Sequence, residues 1–167
     1  RDIRVYSPGL AAGDDSRRAA WRATPRLRFA DSARACVEGA DVVMLATSSG
    51  VPVIEAGWIG AETLVTSIST NAHEAHEVPP AFLDAAQVYC DDAAGTPSSA
   101  GEMVIARREL GWDPARTRGD LAGLCSGRAP RPVAGHPVFF RSIGLGLEDI
   151  AVAHAVWRLA SEEEQAG

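Results

Sequence analysis

The sequence has few cysteines, no excess of positive charge and no long hydrophobic run, and each shortage excludes something. Three cysteines in 167 residues, Cys36, Cys90 and Cys125, are an odd number at long, irregular spacings. That fits neither a disulfide framework nor a zinc site, and the thiols are expected to be buried and reduced in a cytoplasmic protein. A net charge of −6 argues against a general nucleic-acid binder, which carries a basic face. The local pairs Arg17-Arg18 and Arg26/Arg28 still suit a small anion. No apolar stretch approaches the ~18 residues of a membrane-spanning helix, and no signal peptide opens the chain. An initiator Met is also lacking, and residues 3–7 read as a strand with nothing before it, so the chain is expected to begin inside a larger protein.

Several chemical signatures are missing as well. The dinucleotide-binding G-x-G-x-x-G does not occur. Gly144-Leu145-Gly146 lacks the third glycine, comes late, and is not followed by a βαβ unit, so by itself it reads as a tight strand-to-helix turn. The nucleophile elbow G-x-S-x-G is absent, and Ser48-Ser49-Gly50 has no inferable histidine or acid beside it. His73-Glu74-Ala75-His76-Glu77 misses the H-E-x-x-H of zinc proteases by one place. It reads as a polar loop before Pro79, and no metal is expected. His136 and His154 stand alone.

What is present is a globular composition, 46% hydrophobic and 23% charged, on a length that suits one domain. Apolar, β-rich runs lie at 3–7, 41–47, 63–69, 86–91 and 137–142, with a further short run at 26–30. The run 41–47 is nearly continuously apolar, which predicts a strand covered on both faces. Helical patterns fall between them: 16–23; 32–38, with Ser32 as cap and Gly39 as stop; 79–85; 98–110, stopped by Gly111; 120–126; and 147–161, with a broad apolar face of Ile150, Val152, Ala153, Val156, Trp157 and Leu159. Residues 127–135 read as a turn-rich connector and the tail after Ser161 as frayed. Strands alternating with helices imply a doubly wound α/β fold with a parallel sheet.

Ligands of such sheets bind beyond the carboxyl ends of the strands. Those ends read Ser7-Pro8-Gly9, Thr47-Ser48-Ser49-Gly50, Thr70-Asn71-Ala72-His73, Asp91-Asp92 and Ser142-Ile143-Gly144. Hydroxyls, an amide and glycines gather where a cofactor would lie. Glu148 and Asp149 follow in what should be the first turn of the last helix, where carboxylates favour the positive end of the helix dipole.

Several segments together resemble one family. PVFFRSIGLGLEDIAVAHAVW resembles the closing segment of the ornithine cyclodeaminase/μ-crystallin family, in which a strand, a (Lys/Arg)-Ser-(Val/Ile)-Gly turn and an acidic pair precede a final helix. GADVVMLATSSGVPVIEAGWIGAETLVTSISTNAHEAHEV is similar to its central run, and VYSPG to its second cofactor-domain strand. The resemblance implies an incomplete Rossmann-type NAD(P)-binding domain over residues 1–142. It implies a C-terminal helix, 143–167, that packs with a substrate and dimerisation domain. The N-terminal substrate domain and the glycine-rich turn are then expected upstream of this chain.

The same resemblance implies NAD or NADP as cofactor, an amino or imino acid as substrate and a homodimer in the full-length protein, with no nucleic-acid or membrane partner. Carried over by position, Ser7, Thr47, Val65, Thr66, Ser67, Ile68 and Ser142 are the cofactor-binding candidates, and Ile143 the substrate-side candidate. Ser7 lies at the ribose position. It has no charge to repel a 2′-phosphate, so NADP is slightly favoured, with Arg17 or Arg18 as its pairing candidates. Asn71 stands where cyclodeaminases have a catalytic Asp, and an amide cannot act as a general base near neutral pH. Ala75 stands where their motif has a lysine. Both departures fit hydride transfer, as in an imine reductase or amino-acid dehydrogenase, better than the cyclisation of ornithine to proline with loss of ammonia. The cyclodeaminase activity, a non-catalytic ligand-binding role and an inactive fragment remain as alternatives.

Overall fold

The computed structural model describes residues 2–11, 19, 21, 24–68 and 72–166. Its strands are β1 (Ile3–Val5), β2 (Leu27–Phe29), β3 (Val42–Leu45), β4 (Leu64–Ser67), β5 (Gln87–Cys90) and β6 (Val138–Arg141). Every pairing is parallel. The architecture is therefore the expected α/β, Rossmann-like one, with helices in the crossovers that parallel strands require. The sheet comes in two pieces, β1-β2 and β3-β4-β6-β5. In the larger piece Leu64 pairs with both Val42 and Val138, and Val138 also with Gln87.

The helices are α1 (Pro8–Ala11), α2 (Ala33–Val37), α3 (Phe82–Ala85), α4 (Thr96–Ser99), α5 (Gly101–Ile105), α6 (Leu121–Ser126) and α7 (Gly146–Ala166). The pattern at 16–23 lies largely outside the described residues. Ser32 caps α2 as expected, its hydroxyl accepting from Ala35 N–H at 3.1 Å, and Gly39 takes the left-handed φ of +71°. Arg4 joins the two sheets. Its guanidinium donates to the carbonyls of Ala35 and Glu38 at 2.9 and 2.8 Å, serving the orphan acceptors at the end of α2, while Val37 of α2 enters the core beside Val43 and Leu45.

That core lies between β3, β4, β5 and β6 and the segments around α3 and α5. Val65, Val88 and Phe139 are buried in it with Phe82, Met103 and Trp112. Phe82 meets Phe139 edge to face, centroids 6.0 Å apart, the arrangement that ring quadrupoles favour. β5 is buried along its whole length. Its outer edge is covered by the chain at 118–120, through Arg118 N–H to the Val88 carbonyl and Cys90 N–H to the Gly119 carbonyl.

Four expectations change. First, β3 is covered on one face only: Val43 and Leu45 are buried, whereas Val42 and Met44 are 53% and 80% exposed. Second, the single helix expected over 98–110 is broken. Ala100 is extended (ψ 123°) between α4 and α5, and a wider π-turn follows to Gly111 at φ +71°. The break lets the backbone of Gly101 press on the loop before β5; a Cβ there would lie 2.4 Å from the Ala75 carbonyl oxygen. Third, α7 does not fray at Ser161 but runs on to Ala166, helped by an i,i+4 pair of Arg158 with Glu162. Its apolar side chains Leu147, Ile150, Val152, Val156, Trp157 and Leu159 are all exposed. Fourth, only Cys90 of the cysteines is buried; Cys36 is half-buried and Cys125 exposed. No helix among the described residues is long and apolar enough to cross a membrane.

The close approach at Gly101 is testable. Gly101→Ala should destabilise the protein by ~1–3 kcal/mol, the usual cost of overpacking, read as a lowered urea midpoint. An unchanged midpoint would mean that the 72–76 loop yields freely.

Candidate functional site

The site is built at the carboxyl ends of the four-stranded sheet, and two buried carboxylates organise it. Asp91 directly follows β5 and is 5% exposed. Its Oδ2 accepts from Ser142 Oγ at 3.0 Å and from the backbone N–H groups of Ile143 and Gly144 at 2.7 and 2.8 Å. Its Oδ1 accepts from Thr96 Oγ1 at 2.7 Å and Asp92 N–H at 2.9 Å. Burial alone would raise its pKa. The donors from Thr96, Gly144, Ile143 and Ser142 outweigh that and hold the carboxyl below its ordinary value. The turn it grips needs Gly144, which sits at φ +80° with nothing within 4 Å of a would-be Cβ. Backbone conformation, not crowding, calls for glycine here.

Glu77 does the corresponding work for β3 and β4. It is fully buried, and its carboxylate accepts from Thr47 N–H at 2.5 Å and Ser67 Oγ at 2.7 Å. Ser67 is also reached by Arg141 Nη1 at 3.2 Å. Arg141, the last residue of β6, is 2% exposed and faces the fully buried Glu102 of α5, Nε to Oε1 3.0 Å. The contact is charge-paired but not aligned as a hydrogen bond, and among the described residues no well-aligned donor reaches either Glu102 oxygen. Burial pushes the Glu102 carboxyl up, opposed chiefly by Arg141. A chain of polar contacts, Thr47–Glu77–Ser67–Arg141–Glu102, thus ties the ends of β3, β4 and β6 to α5.

The His73–Glu77 segment is not organised for a metal. Glu74, at φ +54°, pairs with the Arg108 guanidinium. His76 Nδ1 lies 2.8 Å from the Glu74 carbonyl oxygen; a carbonyl only accepts, so that nitrogen carries the proton. Among the described residues no group of three or more His, Cys, Asp or Glu could hold a metal ion. The buried Cys90 thiol is pushed up to about 11 by burial, which leaves no thiolate for chemistry near neutral pH.

The candidate residues divide by strand face. Ser7 stands half-buried between β1 and α1, and Thr47 is exposed just past β3. Of the β4 residues, Val65 and Ser67 are turned into the core, while Thr66 is half-buried and Ile68 exposed on the alternate positions. Ser142 and Ile143 are both half-buried, Ile143 against the core. Glu148 and Asp149 occupy the first turn of α7. Asn71, Arg17 and Arg18 lie outside the described residues. The sequence placed Asp91 at a strand end and Arg141 in the turn before the last helix, but gave neither these two nor Glu77 and Glu102 a role as buried charges. Arg141 could have been found, because strand alternation puts it on the face of Phe139. Glu77 and Glu102 carry no such signal.

The parallel sheet with helices in its crossovers is Rossmann-like, and its hydroxyl-bearing strand ends lie where ligands of such sheets bind. The model of the ornithine cyclodeaminase/mu-crystallin family matches residues 2–164, and the chain belongs to that family. It is 52% identical over 158 residues to the NAD(P)H-dependent anabolic L-arginine dehydrogenase DauB of Pseudomonas aeruginosa, covering 94% of this chain and 49% of that protein. The iminosuccinate reductase of Paracoccus denitrificans, solved in complex with NAD+, superimposes with a TM-score of 0.74 at 25% identity, over 83% of this chain and 42% of that one. Thermococcus litoralis Delta(1)-pyrroline-2-carboxylate reductase, solved with NADH and L-proline, shares the fold: TM-score 0.80, 23% identity, 97% of this chain and 50% of that one. The chain spans about half the length of the curated relatives it matches.

The buried ion pair gives this site its prediction. Arg141→Met should cost about 3–5 kcal/mol, because it strands Glu102 in the interior. The double variant Arg141→Met/Glu102→Met should recover most of that loss in urea denaturation. If it recovers nothing, Arg141 matters through its Ser67 contact and not through Glu102.

Proposed function

We propose that this chain supplies the dinucleotide-binding part of an NAD(P)-dependent oxidoreductase that moves a hydride between nicotinamide and the α-carbon of an amino or imino acid. The observation that carries this reading is the 52% identity to an L-arginine dehydrogenase along 94% of the chain. The same likeness favours a substrate of the basic α-amino or α-imino acid class. The cofactor supplies the hydride chemistry and the protein binds and orients. The exposed hydroxyl of Thr47, the Thr66 and Ile68 side chains and the Ser142 turn fit that task, because they line strand ends whose backbone is already held by Glu77 and Asp91. Ser142 contacts the cofactor and Ile143 the substrate side in this reading. Val65 and Ser67 act through the strand they anchor.

The cyclodeaminase alternative is the weaker one. Asn71 lacks the carboxylate that would handle its protons, and the position of the motif's lysine is held by Ala75, which is buried. The 143–167 segment, with its uncovered apolar residues, is read as packing on a substrate and dimerisation domain of the longer protein.

Full-length protein incubated with NADPH or NADH, ammonia and the 2-oxo acid of a basic amino acid should oxidise the nicotinamide. No oxidation with any imino acid, together with ammonia release from ornithine, would overturn the reading in favour of the cyclodeaminase. Cofactor choice is tested at Ser7. With no charge there, NADP is admitted. Ser7→Asp should shift the affinity ratio toward NAD by about tenfold or more, since a carboxylate repels the 2′-phosphate and bonds the ribose hydroxyl. An unmoved ratio would place the adenosine ribose elsewhere.

A further inference from the structure

We infer that Asp91 is a positioning residue for the nicotinamide half of the cofactor crevice. Its carboxylate holds the 142–144 turn in the shape that receives the ring, without touching the ligand itself. The inference rests on the hydride-transfer reading above.

Five donors converge on this carboxylate: the Ser142 and Thr96 hydroxyls and the N–H groups of Asp92, Ile143 and Gly144. A carboxylate has about four lone-pair sites, so none is left for a ligand. The two hydroxyls and the two turn N–H groups are satisfied from one point, which joins β5, α4 and the turn after β6. Beside Asp91 the turn is anchored by Ile143, which packs against the core; Gly144 is in the left-handed region with open space around it, and the apolar side chains of α7 beyond it are exposed. Beside it, Ser142 N–H donates to the Ser67 carbonyl at 3.0 Å.

The hydrogen bonds also fix what Ser142 can present. Its hydroxyl hydrogen is given to Asp91, and one lone pair takes Gly144 N–H at 3.2 Å. The oxygen keeps one lone pair and can only accept. An acceptor suits a primary amide donor such as the nicotinamide carboxamide.

The half of the crevice follows from the sheet. A dinucleotide spans two mononucleotide-binding halves, with the adenosine ribose at the end of the second strand of the first half. By resemblance β1 matches the second strand of the family's cofactor domain, so Ser7, after β1, takes that place in the hydride-transfer reading. β6 and its turn belong to the four-stranded sheet, the other half.

The test uses the full-length protein and two ligands, NAD(P)H and ADP-ribose, the latter having the adenosine half and no nicotinamide. Asp91→Ala should weaken NAD(P)H binding in calorimetry by about tenfold or more, the cost of stranding buried donors, and leave ADP-ribose within about twofold of wild type. Asp91→Asn keeps one acceptor oxygen for the turn and should fall between. If Asp91→Ala does not fold, judged by circular dichroism, the Asn variant decides by the same comparison of ligands. Unchanged NAD(P)H affinity, or equal loss of both ligands, overturns the inference. A wild-type protein that binds neither ligand overturns the hydride-transfer reading with it, whereas normal wild-type turnover beside an unaffected Asp91 variant sinks the positioning role alone.

Discussion

Two buried carboxylates carry the carboxyl edge of the sheet. A parallel strand that stops at a ligand-binding rim leaves backbone N–H groups with no further ladder partner, and such groups cannot remain unpaired in the interior. Glu77 takes the N–H of Thr47 past β3 and the hydroxyl of Ser67 at the end of β4. Asp91 takes two N–H groups past β6 from its own place past β5. Neither carboxylate comes from a strand; each reaches into the edge from a connecting segment. The strand ends are therefore held by these two carboxylates, and Thr47 adds one local contact, its Oγ1 accepting from Ser49 N–H at 3.2 Å.

Charge balance makes the arrangement interdependent. Glu77, Glu102 and Asp91 are acidic, and Arg141 is the one buried guanidinium among the described residues. Asp91 is stabilised by neutral donors and needs no cation, which is why its carboxyl stays below the ordinary value despite burial. Glu102 lacks so full a set of donors among the described residues and is offset chiefly by Arg141. Arg141 in turn donates to the Ser67 hydroxyl, whose own proton goes to Glu77. A change at Arg141 thus reaches Glu102 by charge and Glu77 through Ser67, and both strand ends would register it.

Much of the fold was legible because its signals are local. Apolar, β-rich runs placed β3, β4, β5 and β6, and Ser32 announced α2 by its capping side chain. The positions that misled are set by contacts distant in sequence. Nothing local in the 98–110 pattern forbids a continuous helix; the break at Ala100 exists because Gly101 must meet residues 74 and 75. The one-sided exposure of β3 has the same origin, since an apolar residue such as Met44 reads alike whether or not something covers it. The candidate site divides in the same way. Hydroxyls and glycines at strand ends could be listed from position, but a carboxylate such as Glu77, set in a polar loop, reads as surface until the loop is seen folded under β3 and β4.

The exposed apolar residues have a pattern of their own. Val42 and Met44 on β3 and Ile68 past β4 lie on one sheet, while Leu147 to Leu159 lie along α7, which departs from that sheet directly after the Asp91-held turn. The core proper is well filled without them: Val65, Val88 and Phe139 are fully buried and none needs α7 as a neighbour. The domain's stability and the uncovered surface are therefore separable. The first comes from β3 to β6 with the segments around α3 and α5. The second lies on the uncovered face of β3 and past β4, and along α7. The turn at 142–144 joins β6 to α7, so its conformation sets the direction in which α7 leaves, and Asp91, which grips the turn, bears on that direction too.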